Sequence, residues 1–316
     1  MGNDNILFSI CIPTYNEAKY LTNVIASIVA EKEFIDKKVE IIVTDNNSND
    51  GTDKLMTEYT NKYANIVYVK NSNNIGSTEN TILAVSKAKG ELIKISTSST
   101  MYNKGSMKTI IDYIDKYKNS GVQLYFSNED SKENQLLHFK DFAEFTSISN
   151  TNYLTWSLWK NDIDDYLTDH QFDWTNIPAC YFNLKYSNKY GKTLIINRKI
   201  FTQQKRKPKY LLYGVYNVFG NNIYDIHYYF IKIGIIDKSF IKTLKYKLGY
   251  WLINWVIVFE FKDKDFVFND TEDLKNNFIN DYKNEDYFIK LYAAYAVKKF
   301  KYIIKRILKG INFGKN

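Results

Sequence analysis

Five short apolar runs, at residues 7–12, 39–44, 65–70, 91–96 and 121–126, alternate with segments of helical period at 17–33, 52–63, 77–89 and 105–118. Parallel strands need a crossover long enough to hold a helix, so this alternation predicts an α/β, Rossmann-like fold with a mostly parallel sheet flanked by helices. Asp50 or Thr52 can cap the second helix, Ser77 can cap the third, and Gly90 follows the third where a C-terminal stop is expected. The runs at 8–12 and 39–44 end in polar, turn-forming residues, as buried parallel strands do when they deliver loops to a ligand crevice. Those loops offer Thr14, Asn16 and Glu17 from the first strand, and Asp45, Asn46, Asp50 and Gly51 from the second. Such donors and acceptors suit a base and a ribose, so a nucleotide site is expected at this edge.

A chain of 316 residues with 45% hydrophobic content can fill one large domain or two ordinary ones, which excludes a disordered protein. The net charge of +8 invites a nucleic-acid reading, but Arg occurs only at Arg198, Arg206 and Arg306. Bidentate readers of bases and phosphates are usually Arg, so no nucleic-acid partner is expected. Lys, Asn, Ile and Tyr abound while Pro numbers only 3, a bias toward AT-rich codons that accounts for part of the basicity. Cys11 and Cys180 form neither a metal-ligand spacing nor a disulfide framework, which fits a reducing cytoplasm. No charged and apolar leader opens the chain, and the apolar stretch 248–261, interrupted by Asn254 and Glu260, is too short to span a bilayer. The expectation is a cytoplasmic protein, soluble or peripheral at the inner membrane face.

From about 127 to 190 the pattern loosens into Asn, Asp, Ser and aromatic residues, with a further strand expected at 192–197. Past Arg198 comes a cationic loop at 203–208, followed by aromatic-rich segments of helical period. This predicts a domain over 1–200 and a mostly helical C-terminal region over 201–316. Trp251 and Trp255, four apart, read first as a helix face packed on the core. The segment 296–309 sets Lys298, Lys299, Lys301, Lys305, Arg306 and Lys309 among Phe300, Ile303, Ile304, Ile307 and Leu308. Such a basic amphipathic helix can lie on an anionic leaflet or stand solvated with one face on the protein.

The runs SICIPTYNE and IIVTDNNSNDGT, the NNIG stretch with Asn80 after it, and Ala88-Lys89-Gly90-Glu91 occur in an order and spacing that resemble a family 2 glycosyltransferase of GT-A fold. The resemblance is strongest over residues 7–96, and the middle and tail are similar to the abequosyltransferase-like branch, whose members help build bacterial surface polysaccharide. It implies a nucleotide-sugar donor and an oligosaccharide or lipid-linked glycan acceptor, joined by an inverting transfer in O-antigen or capsule synthesis. It also implies that Pro13, Thr14, Asn16 and Glu17 line the nucleotide pocket with Asn74, Gly76 and Asn80, and that Asp45 accepts a hydrogen bond from the base. Tyr15 can stack on a base face, Gly76 lets the backbone come close, and Asp45 can alternatively cap its own turn.

Members of this family usually carry an Asp-x-Asp motif after the fourth strand to hold a divalent cation on the donor diphosphate. Here the residues beside the diphosphate are Lys94, Ser96, Thr97, Ser98 and Ser99, with no carboxylate at the turn, and Glu79 stands where relatives often place Arg. Hard Mn²⁺ or Mg²⁺ favours anionic oxygen, so hydroxyls are poor substitutes. Three accounts follow. Transfer proceeds without a metal, with Lys94, Lys104, the 205–207 cluster or tyrosine hydroxyls steadying the leaving group; a metal is held elsewhere, by Glu129 or Asp130; or catalysis is lost and a binding or assembly role in glycan synthesis remains. A general base is sought in the segment 162–174, first at Asp173 beside Trp174, then at Asp169 and His170; a merely solvated acidic loop is the plainer alternative. A nucleotidyltransferase is disfavoured because no Gly-rich, cationic phosphate loop follows the first strand.

Overall fold

In the computed structural model, which describes residues 6–130, 133–205, 214–261 and 273–308, the first apolar run is a strand buried along nearly its whole length. The elements of this half are β1 (Phe8–Thr14), α1 (Ala18–Val29), α2 (Lys32–Ile35), β2 (Val39–Asp45), α3 (Thr52–Lys62), β3 (Ile66–Lys70), α4 (Ser77–Ser86), β4 (Leu92–Ile95), β5 (Thr100–Tyr102), α5 (Ser106–Tyr117) and β6 (Gln123–Phe126). Covered on both faces, β1 and β2 read as continuous apolar runs rather than alternating ones. Helix α1 buries Leu21, Val24, Ile25 and Ile28, and α5 buries Met107, Ile110, Ile111 and Ile114, each a stripe at helical spacing. The single helix expected over 17–33 is divided because Glu31 is extended and its carboxylate accepts the Gly105 N–H at 2.8 Å.

The main sheet has the order β3-β2-β1-β4, with parallel pairing throughout, and β8 (Leu158–Trp159) closes it antiparallel to β4. Between β6 and β8 lie β7 (Gln135–His138) and α6 (Phe139–Thr146); α7 (Ile163–Thr168), α8 (Pro178–Tyr190), β9 (Lys192–Ile196) and β10 (Phe201–Gln203) follow. The fifth apolar run does not extend the main sheet. It pairs parallel to β9 in a separate sheet of order β6-β9-β7, because β8 occupies the edge beside β4. The segment leading into β8 lies along β6: Phe126 N–H reaches Thr155 O at 2.6 Å, Ser157 Oγ reaches Leu124 O at 2.9 Å, and Trp159 Nε1 reaches Val122 O at 3.0 Å.

Lys94 corrects one expectation. It is wholly buried on β4, where its ammonium donates to Leu154 O and, at 3.1 Å, to Trp156 O, with the Phe126 ring 4.7 Å away. It fastens the chain before β8 and does not reach a diphosphate. Gly90 does more than stop a helix: a Cβ there would lie 2.7 Å from Ser9 N and 2.9 Å from Phe8 C, so the chain entering β4 touches β1 as only glycine can. Nearby, the Glu40 carboxylate accepts from Ser9 Oγ at 2.6 Å and from the Lys89 N–H at 2.7 Å.

By its internal contacts the chain divides into two compact units, one of Met1–Phe145, Ser149–Trp174 and Pro178–Arg206, the other of Thr146–Ile148, Thr175–Ile177 and Lys207–Asn316. The second contains a π-helical turn (Asn217–Asn222), α9 (Ile223–Lys232), α10 (Phe240–Glu260), α11 (Leu274–Tyr282) and α12 (Phe288–Leu308). Its core gathers Leu252, Ile253, Val256, Leu274, Phe278 and Leu291, and Trp251 and Trp255 pack against it, as their spacing suggested. No helix among the described residues is long and apolar enough to cross a membrane.

Burial pushes the Lys94 ammonium down to about 7. Between that pH and the ordinary lysine value of about 10.4, the unfolded chain holds a proton that the folded chain has released, so stability rises with pH across that window. Urea unfolding at about pH 7 and about pH 10 should show this rise in the native protein and a smaller one in Lys94→Met.

Candidate functional site

Thr14 lies opposite Asp45 in the β1/β2 register, so the loops leaving both strands open at one edge of the main sheet. Asn16 and Asn47 adopt φ of 53° and 66°, a left-handed conformation that Asn tolerates better than most residues. The loops are tied together: Asn16 N–H donates to Ser48 Oγ at 2.8 Å, and Asn49 N–H donates to Asn16 Oδ1 at 3.0 Å. Asp50 serves two helices. Its Oδ2 accepts the Ala18 N–H at the start of α1 at 2.8 Å, while Oδ1 accepts the Thr52 N–H at 3.2 Å and hydroxyl at 2.6 Å at the start of α3. Partial burial raises its pKa, but the hydrogen bonds from Thr52 and Ala18 outweigh this and hold it below the ordinary carboxylate value.

Asp45 is fully buried, with Oδ1 accepting the Ser48 N–H at 2.9 Å as well as the Ser48 hydroxyl, and Oδ2 accepting the Tyr68 hydroxyl at 2.8 Å. Burial first, then the Asp45 charge, keeps Tyr68 protonated far above neutrality. In this geometry Asp45 organises its own turn, and each oxygen already has a donor. A ring N–H would have to use a remaining lone pair or replace Tyr68.

A chain of side-chain amides holds the next loop against the end of β2. Asn46 Nδ2 donates to Asn74 Oδ1 at 2.8 Å and Gly76 O at 3.0 Å, while Asn46 Oδ1 accepts the Ile75 N–H at 2.8 Å. Asn71 Nδ2 donates to Asn80 Oδ1 at 3.0 Å, and Asn80 Nδ2 donates to Thr44 O at 2.9 Å. Gly76 sits at φ +95°, and a Cβ there would meet Glu79 Oε2 at 2.6 Å. The Asn-rich composition, read as codon bias, here supplies a specific network. Asn71 of this network, and Ser48 and Tyr68 beside Asp45, were missed; Asn71 and Ser48 follow strand ends, which was the available signal, whereas nothing local marks Tyr68 in the middle of β3. Of the first loop, Pro13 is half-buried, Thr14 and Glu17 are buried, and Tyr15 and Asn16 are exposed.

At the end of β4 the hydroxyls interlock. Thr97 Oγ1 lies 2.7 Å from Thr100 Oγ1 and 3.2 Å from Ser99 Oγ, Ser99 Oγ donates to Gln203 Oε1 at 3.1 Å, and Gln203 Nε2 donates to Thr100 Oγ1 at 2.8 Å. Gln203 belongs to β10, far away in sequence, and was also missed. The turn offers only neutral oxygens, a donor set that does not fit a hard divalent cation. No cluster of three or more His, Cys, Asp or Glu able to hold a metal occurs among the described residues. Asp130 faces Arg198 at 4.0 Å. Lys104 and Lys205 are exposed, and Arg206 and Lys207 lie outside the described residues.

The acidic segment separates into structural and accessible carboxylates. Asp162 is buried against Lys189 and the Tyr190 hydroxyl, and Asp165 pairs with Lys185 at 2.7 Å. Asp169 Oδ2 accepts from Lys185 Nζ at 2.6 Å and the Tyr181 hydroxyl at 2.7 Å. Burial opposes its ionisation, yet these donors lower its pKa, which makes it a weak base. Asp173 instead pairs with the His170 ring, Nδ1 to Oδ2 at 2.8 Å, in a partly exposed position. Asp169 and Asp173 line one small pocket with Thr78, Thr81 and Ile82 of α4 and with Tyr166 and Phe182. The acidic segment therefore stands against the helix whose first turn the amide network fixes. Trp174 is exposed beside Phe172, with ring centroids 6.4 Å apart.

Residues 9–189 match the sequence model of Glycosyl transferase family 2. The chain is 36% identical over 111 residues to an abequosyltransferase of Salmonella typhimurium, an alignment covering 35% of this chain and 33% of that protein. It is 26% identical over 147 residues to the poly(ribitol-phosphate) beta-N-acetylglucosaminyltransferase TarS of Staphylococcus aureus, covering 46% of this chain and 26% of TarS. These alignments span a third or less of the relatives' own length. Among solved structures, TarS 1–349 in complex with UDP superposes with a TM-score of 0.61 at 15% identity, covering 98% of this chain and 94% of that one, a likeness of GT-A fold.

Asp50→Ala removes acceptors from the first N–H groups of both α1 and α3 and should cost about 2 kcal/mol in urea unfolding at neutral pH. Because the folded-state pKa of Asp50 is depressed, its contribution is present above the unfolded carboxylate value of about 3.9 and is lost as pH falls through the lower folded value. The stability gap between native and variant protein should close in that acid range.

Proposed function

The chain belongs to glycosyl transferase family 2, and from that premise we propose that it transfers a sugar from a nucleotide-sugar donor to a glycan acceptor by single displacement with inversion. The observation that carries this reading is the shared edge where the β1 and β2 loops meet, with α4 joining it to the pocket lined by Asp169 and Asp173. The names of the relatives, an abequosyltransferase and a poly(ribitol-phosphate) N-acetylglucosaminyltransferase, support a bacterial surface glycan or teichoic-acid polymer as the acceptor class. The fold likeness to a transferase crystallised with UDP supports a nucleoside diphosphate donor.

In this reading Pro13, Thr14, Tyr15, Asn16 and Glu17 meet the nucleotide, Asp45 receives the ring N–H, and Asn74, Gly76 and Asn80 set the wall beside it. The acceptor hydroxyl oxygen attacks the anomeric carbon from the face opposite the diphosphate and forms the new glycosidic bond. The bond from that carbon to the diphosphate oxygen breaks, and the nucleoside diphosphate leaves with the electron pair. Asp173, oriented by His170, takes the hydroxyl proton; Asp169, held by Lys185, is the poorer base. The hydroxyls of Thr97, Ser98 and Ser99 face the departing diphosphate with no metal step, consistent with a donor set that does not fit one. The acceptor would be a glycan, lipid-linked at the cytoplasmic membrane face.

Calorimetric titration with UDP, GDP, CDP and dTDP, each with Mn²⁺ and with excess EDTA, tests the donor site. Selective binding that survives EDTA is expected; binding only with Mn²⁺ would overturn the metal-free reading, and no binding to any would favour a noncatalytic partner in glycan assembly. Asp45→Ala should abolish that binding. Asp173→Asn should leave it unchanged and lower turnover about 10²–10⁴-fold, as loss of a general base does.

A further inference from the structure

Helix α12 is apolar on two faces, and among the described residues its neighbours cover one of them. Leu291 and Tyr295 are buried; on the same face Lys298 Nζ donates to Tyr250 O at 2.9 Å, Lys299 pairs with Glu260 at 2.9 Å, and the Tyr302 ring stacks 5.3 Å from Phe261. On the opposite face Ile289, Val297, Phe300, Ile304, Ile307 and Leu308 are exposed by 82, 54, 64, 39, 60 and 81%. At 100° per residue these side chains, with exposed Ala293 and Ala296 between them, form one stripe along the helix. A merely solvated helix would be polar there.

The charge pattern selects the occupant. Residues 288–308 contain Lys290, Lys298, Lys299, Lys301, Lys305 and Arg306 and no acidic residue, and Lys290, Lys301 and Lys305 stand exposed along one border of the stripe. A second copy on this face would set like charges against like. An anionic bilayer surface takes the apolar stripe to the acyl boundary and the cations to its headgroups, the arrangement of helices that lie in the interface plane. Twenty-one residues span about 30 Å, long enough to lie flat over several headgroups. We propose that α12 is a membrane-surface helix that docks this protein on anionic lipid through the Ile289 to Leu308 stripe. This deepens the transferase reading by naming where a lipid-linked acceptor is met, and it can fail independently, since vesicle binding is read without donor or turnover.

The test is flotation of the full chain with vesicles of phosphatidylcholine alone and of phosphatidylcholine mixed with phosphatidylglycerol, at low and high salt. Binding is expected only to the anionic vesicles and should weaken with salt. Phe300→Glu/Ile304→Glu should abolish it, and Lys301→Gln/Lys305→Gln should weaken it about 5-fold per cation removed. Circular dichroism and urea unfolding should be unchanged in both variants, because all four side chains are exposed. Equal binding to neutral vesicles would overturn the charge argument. Absence of vesicle binding overturns the proposal, and self-association dispersed by Phe300→Glu would assign the stripe to a second copy instead.

Discussion

The parallel register that sets Thr14 of β1 opposite Asp45 of β2 is the constraint on which the candidate site depends. Parallel pairing sends both strands toward the same edge, so two loops separated by some thirty residues emerge side by side. Once adjacent, they can share polar partners: Asp50 meets the first N–H groups of both following helices, and Ser48 bridges Asn16 to Asp45. Without that register the bonds between the two loops, Asn16 to Ser48 and Ala18 to Asp50, would be lost.

Several buried charged groups of this half are held by partners on more than one side, which offsets the cost of burying them. Asp45 has Ser48 and Tyr68, Asp162 has Lys189 and Tyr190, and Glu40 has Ser9 and the Lys89 N–H. Lys94 is the harder case, an ammonium held by carbonyls between aromatic rings with burial lowering its pKa. These arrangements hold the loops in one geometry, as the proposed transfer between a donor and an acceptor would require. They also explain how the acidic segment divides. Asp162, Asp165 and Asp169 are committed to Lys or Tyr partners, whereas Asp173 pairs with a histidine ring.

Much of the first half was legible because its information is local. Apolar runs flanked by turn residues located β1 to β4 within a few residues, and helical spacing located α3, α4 and α5. The sheet to which β6 belongs was not legible, since a short apolar run carries no record of its neighbour; that depended on β8 arriving from more than thirty residues away. Lys94 misled for the same reason. A lysine two residues before a polar turn looks solvent-facing until Leu154 and Trp156 supply carbonyls above it.

The sequence by itself determined the family, the order of elements in the first half and the absence of carboxylates at residues 96–100, because motifs and periodicity are written in neighbouring residues. Only the tertiary structure decided which polar groups remain accessible. It showed Asp45 bonded to Ser48 and Tyr68, Asp169 held by Lys185, Gln203 joined to the hydroxyl turn, and α12 with an exposed apolar face among the described residues. The physical reason is that a side chain's chemistry depends on what surrounds it in space, and those partners come from distant parts of the chain.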